Sequence, residues 1–270
     1  MGKVLPEITK KEETFIASQK VFFVATAALS KDHHVSVSPK ANDGTIVVLD
    51  KLTVAYADFT GSGAETAAHV LQNKRMTLMF CNIETGFPNI LRLFGYAEIV
   101  LPDTAPLSLL NKFPTSVTES HGFRAIYKLH IHRISSSCGY SLPIMEFTKF
   151  RSTLHEYNER EGKVGMFNYM TLKNSFSIDG LPSVALLRKD APPNIEPISE
   201  SGYILGKEVV QPKNSERNLN RRLQLQQYQP SMLSKQVYVK NRDLIVAAMV
   251  IFFAGVFVGV VTVQYADNVF

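Results

Sequence analysis

The sequence predicts a mainly β protein: an antiparallel barrel, closed or partly closed, with a few short helices, followed by a separate membrane-spanning helix. Three observations carry this. Residues 20–134 form a succession of short apolar or alternating runs with turn residues between them, without the regular strand–helix alternation of a parallel sheet. Residues 190–243 change character, with few aromatics and many Gln, Asn and Arg. Residues 244–263, LIVAAMVIFFAGVFVGVVTV, carry no charge and only Thr262 as a polar group. At ~1.5 Å per residue such a run matches the ~30 Å hydrocarbon core of a bilayer.

Each element follows from its own pattern. Residues 14–24 open as a short helix and lead into the apolar strand VFFVATAA. HVSVSP alternates and stops at Pro39. Residues 45–50 and 53–58 read as two strands joined by a tight Asp50-Lys51 turn. Residues 64–71 read as a short helix, and 76–83 and 91–101 as strands joined by a loop with Gly86 and Pro88. Residues 105–113 read as helical, with Pro114 beyond the end. Residues 125–134 form a long strand, and 149–161 a helix stopped by Gly162. Six or seven strands in meander order bury their apolar faces most simply by curling into a barrel.

The domain boundaries follow: residues 1–189 as the barrel, 190–243 as a flexible basic stalk, 244–263 as the span. The net charge is +5, and its excess sits in residues 207–243, with 8 Lys or Arg against 3 Asp or Glu. That stalk has no folded nucleic-acid recognition module, and the expectation is no nucleic-acid partner. Its place just before the span points instead to anionic lipid head groups, with an inert solvated stalk as the alternative. Lys235, Lys240 and Arg242 precede the span and no Lys or Arg follows it, so the positive-inside rule puts the N-terminal domain in the cytosol. Seven residues follow the span, the arrangement of a tail anchor, with a lean toward the endoplasmic reticulum. Gly255 and Gly259 would allow close approach of two such helices. The N-terminus lacks an apolar signal segment, and Pro6 stands where a myristoylation signal wants Ser or Thr. Two cysteines, Cys81 and Cys138, are too few for a disulfide framework and have no zinc-type spacing, which fits free thiols in a reducing compartment.

Chemistry-bearing segments are few. In GSGAETAAHV, Ser62 and Glu65 stand at the spacing of a capping box. The same helix start, beside Gly61 and Gly63, suits a phosphate, with Arg75 returning after one short helix. Both readings stand. In SVSPKAND, Ser36 and Ser38 share a strand face and Lys40 follows Pro39, which suits a phosphate or an exposed turn. His130 and His132 share a strand face but have no third ligand at a partner spacing, so polar surface positions compete with a metal site. His33 and His34 read as solvated, and His69 as an i,i+4 partner of Glu65. No Ser-His-Asp spacing, G-x-S-x-G or Walker loop occurs.

HVSVSPKA, GSGAETAAHVLQNKRMTLMF, ILRLFGYAEIV, SSCGYSLP and KNSFSIDGLP, in that order, resemble a branch of the pyridoxamine 5′-phosphate oxidase-like flavoproteins, over roughly residues 10–185. The resemblance implies an FMN-binding split β-barrel, a homodimer, and flavin at the subunit interface. It implies phosphate and ribityl contacts from Ser38, Lys40, Ser62, Thr66 and Arg75, and backbone of Pro39, Lys40 and residues 53–55 near the ring edge. Arg92 and the Cys138-Gly139-Tyr140 turn match family signatures; Arg92 would serve the flavin or the dimer core, and Tyr140 would stack near the ring from the partner subunit. KNSFSIDGLP differs from the segment that holds pyridoxal phosphate in true oxidases, so vitamin B6 oxidation is not implied. Ala64 replaces an Asn common in this branch. The expected function is FMN-dependent hydride or electron transfer to a small molecule. The alternatives are a non-catalytic flavin or tetrapyrrole binder and a membrane-anchored adaptor with a degenerate barrel.

Overall fold

The computed structural model describes residues 2–191, together with the backbone of 196–198 and 202–204. The stalk beyond these residues and the apolar stretch 244–263 lie outside the described residues. No helix among the described residues is long and apolar enough to cross a membrane.

Alternation builds the sheet as expected. Strand β1 is Lys3–Leu5, followed by helix α1, Lys10–Ser18. Then come β2 (Val21–Ala27), β3 (Val35–Ala41), β4 (Ile46–Asp50) and β5 (Thr53–Phe59). Helix α2 is Glu65–Asn73, and β6 (Arg75–Cys81) and β7 (Ile90–Val100) follow. Two four-residue helices, α3 (Leu107–Leu110) and α4 (Thr115–Thr118), precede the long strand β8, Phe123–Ser137. Helix α5, Thr153–Lys173, leads to a 3₁₀ turn at Val184–Leu187. Strands β9 (Glu196–Ile198) and β10 (Gly202–Ile204) pair with each other.

The main sheet is antiparallel in the order β3-β2-β6-β7-β8-β5-β4, and β1 adds to β8. Strands β3 and β4 are its two edges. The sheet is strongly curled, because side chains far apart in strand order touch inside it: the Phe22 ring of β2 meets Tyr56 of β5 edge-on at 5.5 Å and stacks on Phe80 at 5.6 Å. Phe22, Leu78, Leu91, Leu93, Tyr127 and Leu129 complete a fully buried interior. A mainly β sheet curled in this way, open between two edge strands, is the arrangement of a split barrel. The other face of β5 and β8 is also covered: Ala55, Ala57 and Ile126 pack with Leu109, Phe113 and Val117 of α3 and α4. Both faces of β5 are therefore buried.

Four local expectations change. Strand β3 runs through Pro39, which an edge strand tolerates because one side of its backbone needs no ladder donor. The helix expected over 105–113 is only Leu107–Leu110, and a second short one follows at Thr115–Thr118; each has a proline, Pro106 or Pro114, at its N-cap. Gly162 does break α5, at φ 63, but the helix resumes beyond it to Lys173. The capping box forms at Thr9 and Glu12 of α1, not at Ser62 and Glu65.

Candidate functional site

The loop between β5 and α2, residues 60–64, is held from behind. Thr60 donates both its amide and its hydroxyl to the Gly122 carbonyl, at 2.7 and 3.0 Å. The Asn174 carboxamide donates to the carbonyls of Gly61 at 2.8 Å and Gly63 at 3.3 Å. Ser183 donates to the Ala64 carbonyl at 2.6 Å. The carbonyls of Gly61, Gly63 and Ala64 are thus engaged, while the amides of Gly61, Ser62 and Gly63 donate to no group among the described residues. Neither glycine has a left-handed backbone, and a Cβ at Gly61 would meet no atom within 4 Å. Open space and free donors at one loop suit the close approach of an anion.

Ala64, with no side-chain cap, is the N-cap of α2. That puts Ser62 two residues too early to reach the N3 amide, which is why the expected box does not form. Glu65 instead accepts from the Ala64 amide at 3.1 Å and from the Ile178 amide at 3.3 Å.

Behind the loop lies a buried charged chain. Lys40 donates to Asp58 Oδ1 at 2.5 Å, and Arg124 Nε to Asp58 Oδ2 at 2.8 Å. Arg124 Nη1 continues to Asn174 Oδ1 at 2.8 Å. A bulge in the β5–β8 ladder, between Asp58 and Phe59, takes Arg124 out of register and aims it at Asp58. Asp58 and Arg124 are almost wholly buried, whereas the Lys40 side chain is 23% exposed at the open edge of the sheet. Burial alone would raise the Asp58 pKa; Arg124 foremost, then Lys40, outweigh it and hold the carboxyl below its usual range. Two cations share one carboxylate, so the chain carries a surplus positive charge. Tyr56 and Tyr127 stack beside it, 4.9 Å between centroids, and burial pushes both phenols up, so they stay neutral.

Segment 173–182, KNSFSIDGLP, closes over the same region. His34 donates from its amide to Asp179 Oδ2 at 2.9 Å, and its ring sits 2.6 Å from Oδ1. His69 turns inward rather than pairing with Glu65: its Nδ1 meets the Thr26 hydroxyl at 3.0 Å, and the ring is fully buried.

The expected site residues do not all come together. Ser38 and Lys40 share the inner side of the edge strand β3, opposite Val24 and Phe22. Ser62 is exposed at the loop and Thr66 is buried in α2. Arg75 does not return to that loop: it follows the far end of α2, alternates out of phase with the buried Met76, Leu78 and Phe80, and holds Asn73 and the Ala28 carbonyl. Arg92 donates to Ser137 at 3.2 Å on β8, and Tyr140 is 75% exposed. The backbone of residues 53–55 lies in ladders on both sides, to β4 and to β8. His130 meets Glu98 at 3.4 Å, and the His132 ring lies against Tyr96. Cys81 is a buried free thiol and Cys138 an exposed one. Asp58, Arg124 and Asn174 were not anticipated. For Asp58 and Arg124 the one signal is an ionisable residue inside an apolar strand, in TVAYADF and FRAIYKL.

The sheet is a split barrel, open between β3 and β4, and it carries a glycine loop with unengaged amides after β5. This chain belongs to the pyridoxamine 5′-phosphate oxidase family. The family model described as pyridoxamine 5′-phosphate oxidase matches residues 8–138. The pyridoxamine 5′-phosphate oxidase family protein ustO of Aspergillus flavus is 32% identical over 189 residues, covering 64% of this chain and 74% of that protein. Similar solved structures include HupZ of Group A Streptococcus, 21% identical over 47% of this chain and 91% of that one, with a TM-score of 0.35. A FAD-binding protein of Mesorhizobium loti is 17% identical over 50% of this chain and 96% of that one, with a TM-score of 0.32.

Proposed function

We propose that this protein binds FMN and uses it for hydride or electron transfer with a small molecule. The carrying observation is the loop 61–63, whose free amides are backed by the Lys40–Asp58–Arg124–Asn174 chain. The residues present fit a phosphate: three backbone donors, open space at Gly61, and surplus positive charge behind the loop. Family membership supports flavin as the group that bears it.

Bound flavin supplies the redox chemistry. This chain's residues hold and orient. The amides of Gly61, Ser62 and Gly63 donate to phosphate oxygens, and the exposed Ser62 hydroxyl adds one more donor. Lys40 contributes charge from the edge strand, and Ser38 shares its face. Asp58 keeps both cations in place. A second copy of the chain packs on the outer sheet face, where Val35, Val37 and Tyr96 are all more than half exposed. Residues 244–263 hold the protein to a membrane, with the barrel on the cytosolic side.

One observation favours a rival reading. The Glu65 carboxylate already takes the Ala64 amide and brings negative charge close to the loop. In that reading the barrel is a docking module with no flavin. Calorimetric titration of the full-length chain separates them: FMN binds more tightly than riboflavin by about tenfold or more if charge-assisted phosphate contacts hold it. Equal affinities, or none, contradict the phosphate cradle.

A further inference from the structure

Segment 174–183 lies outside the family match, which ends at residue 138, yet it bonds to the loop and to the elements around it. Asn174 holds Gly61 and Gly63, the Ile178 amide meets Glu65, Asp179 meets His34, and Ser183 holds Ala64. Asn174 and Ser183 are fully buried. Asn174 is chemically matched to its place: its oxygen accepts from Arg124 while its nitrogen donates to two loop carbonyls.

We propose that Asn174 is a positioning residue of the anion cradle, and that the segment carrying it is an integral wall of the site. By drawing the Gly61 and Gly63 carbonyls inward, the carboxamide leaves the amides of residues 61–63 facing out as a set of donors. The same side chain ties that loop to the Arg124–Asp58–Lys40 chain, so the edge strand and the loop hold one register. A backbone cradle has no side chain of its own to fix its direction, and an unsatisfied buried carbonyl is costly. A single group able to donate to two carbonyls and accept from an arginine does both tasks. The ligand part of this inference rests on the FMN reading; the loop-orienting part does not.

Asn174→Asp tests it. The change keeps an acceptor for Arg124 but turns the donor into an acceptor facing two carbonyls. In the full-length chain, FMN affinity falls about tenfold or more and riboflavin affinity stays within about twofold, while the thermal midpoint falls because two buried carbonyls lose their donor. A folding defect would weaken both flavins together, which separates positioning from mere support. If Asn174→Asp does not fold, Asn174→Ser is measured in its place and the same loss of FMN preference is expected. An unchanged ratio of FMN to riboflavin affinity in a folded variant overturns the proposal. If the wild type binds neither flavin, the function proposed above falls, and inorganic phosphate with amide NMR decides the rest. Shifts at Gly61, Ser62 and Gly63 in the wild type that vanish in the variant uphold the positioning role. No shift in the wild type overturns it.

Discussion

Arg124 and Asp58 are bound Nε to Oδ2 at 2.8 Å, with side chains 5% and 1% exposed, although 66 residues separate them. Burying two such charges costs several kcal/mol each, so the pair persists because the remaining positions are also filled: Lys40 on Oδ1 and Asn174 on Nη1. It joins the edge strand to the glycine loop, and it sets the first prediction.

Asp58→Ala strands Arg124 and should destabilise the fold by about 3–5 kcal/mol, read from urea midpoints at neutral pH. The pH dependence has a definite sign. The folded pKa of Asp58 lies below the unfolded one, so its contribution is whole above pH ~4 and is lost as pH falls through the folded value. The variant should therefore show a flatter acid limb than the wild type. Equal acid limbs would mean that the carboxylate is not held by its cations.

Arg75→Ala should leave FMN affinity within about twofold of wild type. Helix α2 has nine residues, so its two ends lie ~13 Å apart, with the loop at one and Arg75 beyond the other. A large loss in a titration would place the phosphate on the outer face instead.

One thiol per native chain should react with an aromatic disulfide reagent, rising to two on denaturation. Cys138 is exposed, whereas burial pushes the Cys81 thiol up and keeps it protonated and inert. Two fast thiols in the native protein would contradict the placement of β6.

Gly95→Ala should destabilise by about 2 kcal/mol or more. Its Cβ would stand 2.2 Å from the His130 carbonyl oxygen and 2.9 Å from Leu129 Cδ1, where the β7–β8 register shifts. Backbone blocks it on one side, so relief requires the ladder itself to move. A thermal midpoint equal to the wild type would rule out so close an approach of the two strands.

Much of the fold was legible because alternation is local. The runs VFFVATA, RMTLMFC and ILRLFGY declare their buried phase residue by residue, and the strands fall within about one to three residues of where the pattern puts them. Strand β1 was invisible, since three residues carry no period and its pairing with β8 spans the chain. The second half of α5 was lost because Gly162 reads as a stop; the sequence does not reveal that a helix resumes beyond one left-handed residue. For the site, the glycine loop announced itself, but what orients it did not. Asn174 lies 113 residues from Gly61, in a segment whose local pattern is that of an ordinary turn. Arg75 was expected to return to the loop after one short helix, and the nine residues of α2 separate the two.

The most direct measurement is the visible absorption spectrum of the purified full-length chain, followed by identification of whatever is released on denaturation. The account predicts a yellow protein that releases FMN. A colourless protein that also fails to take up added FMN would contradict it.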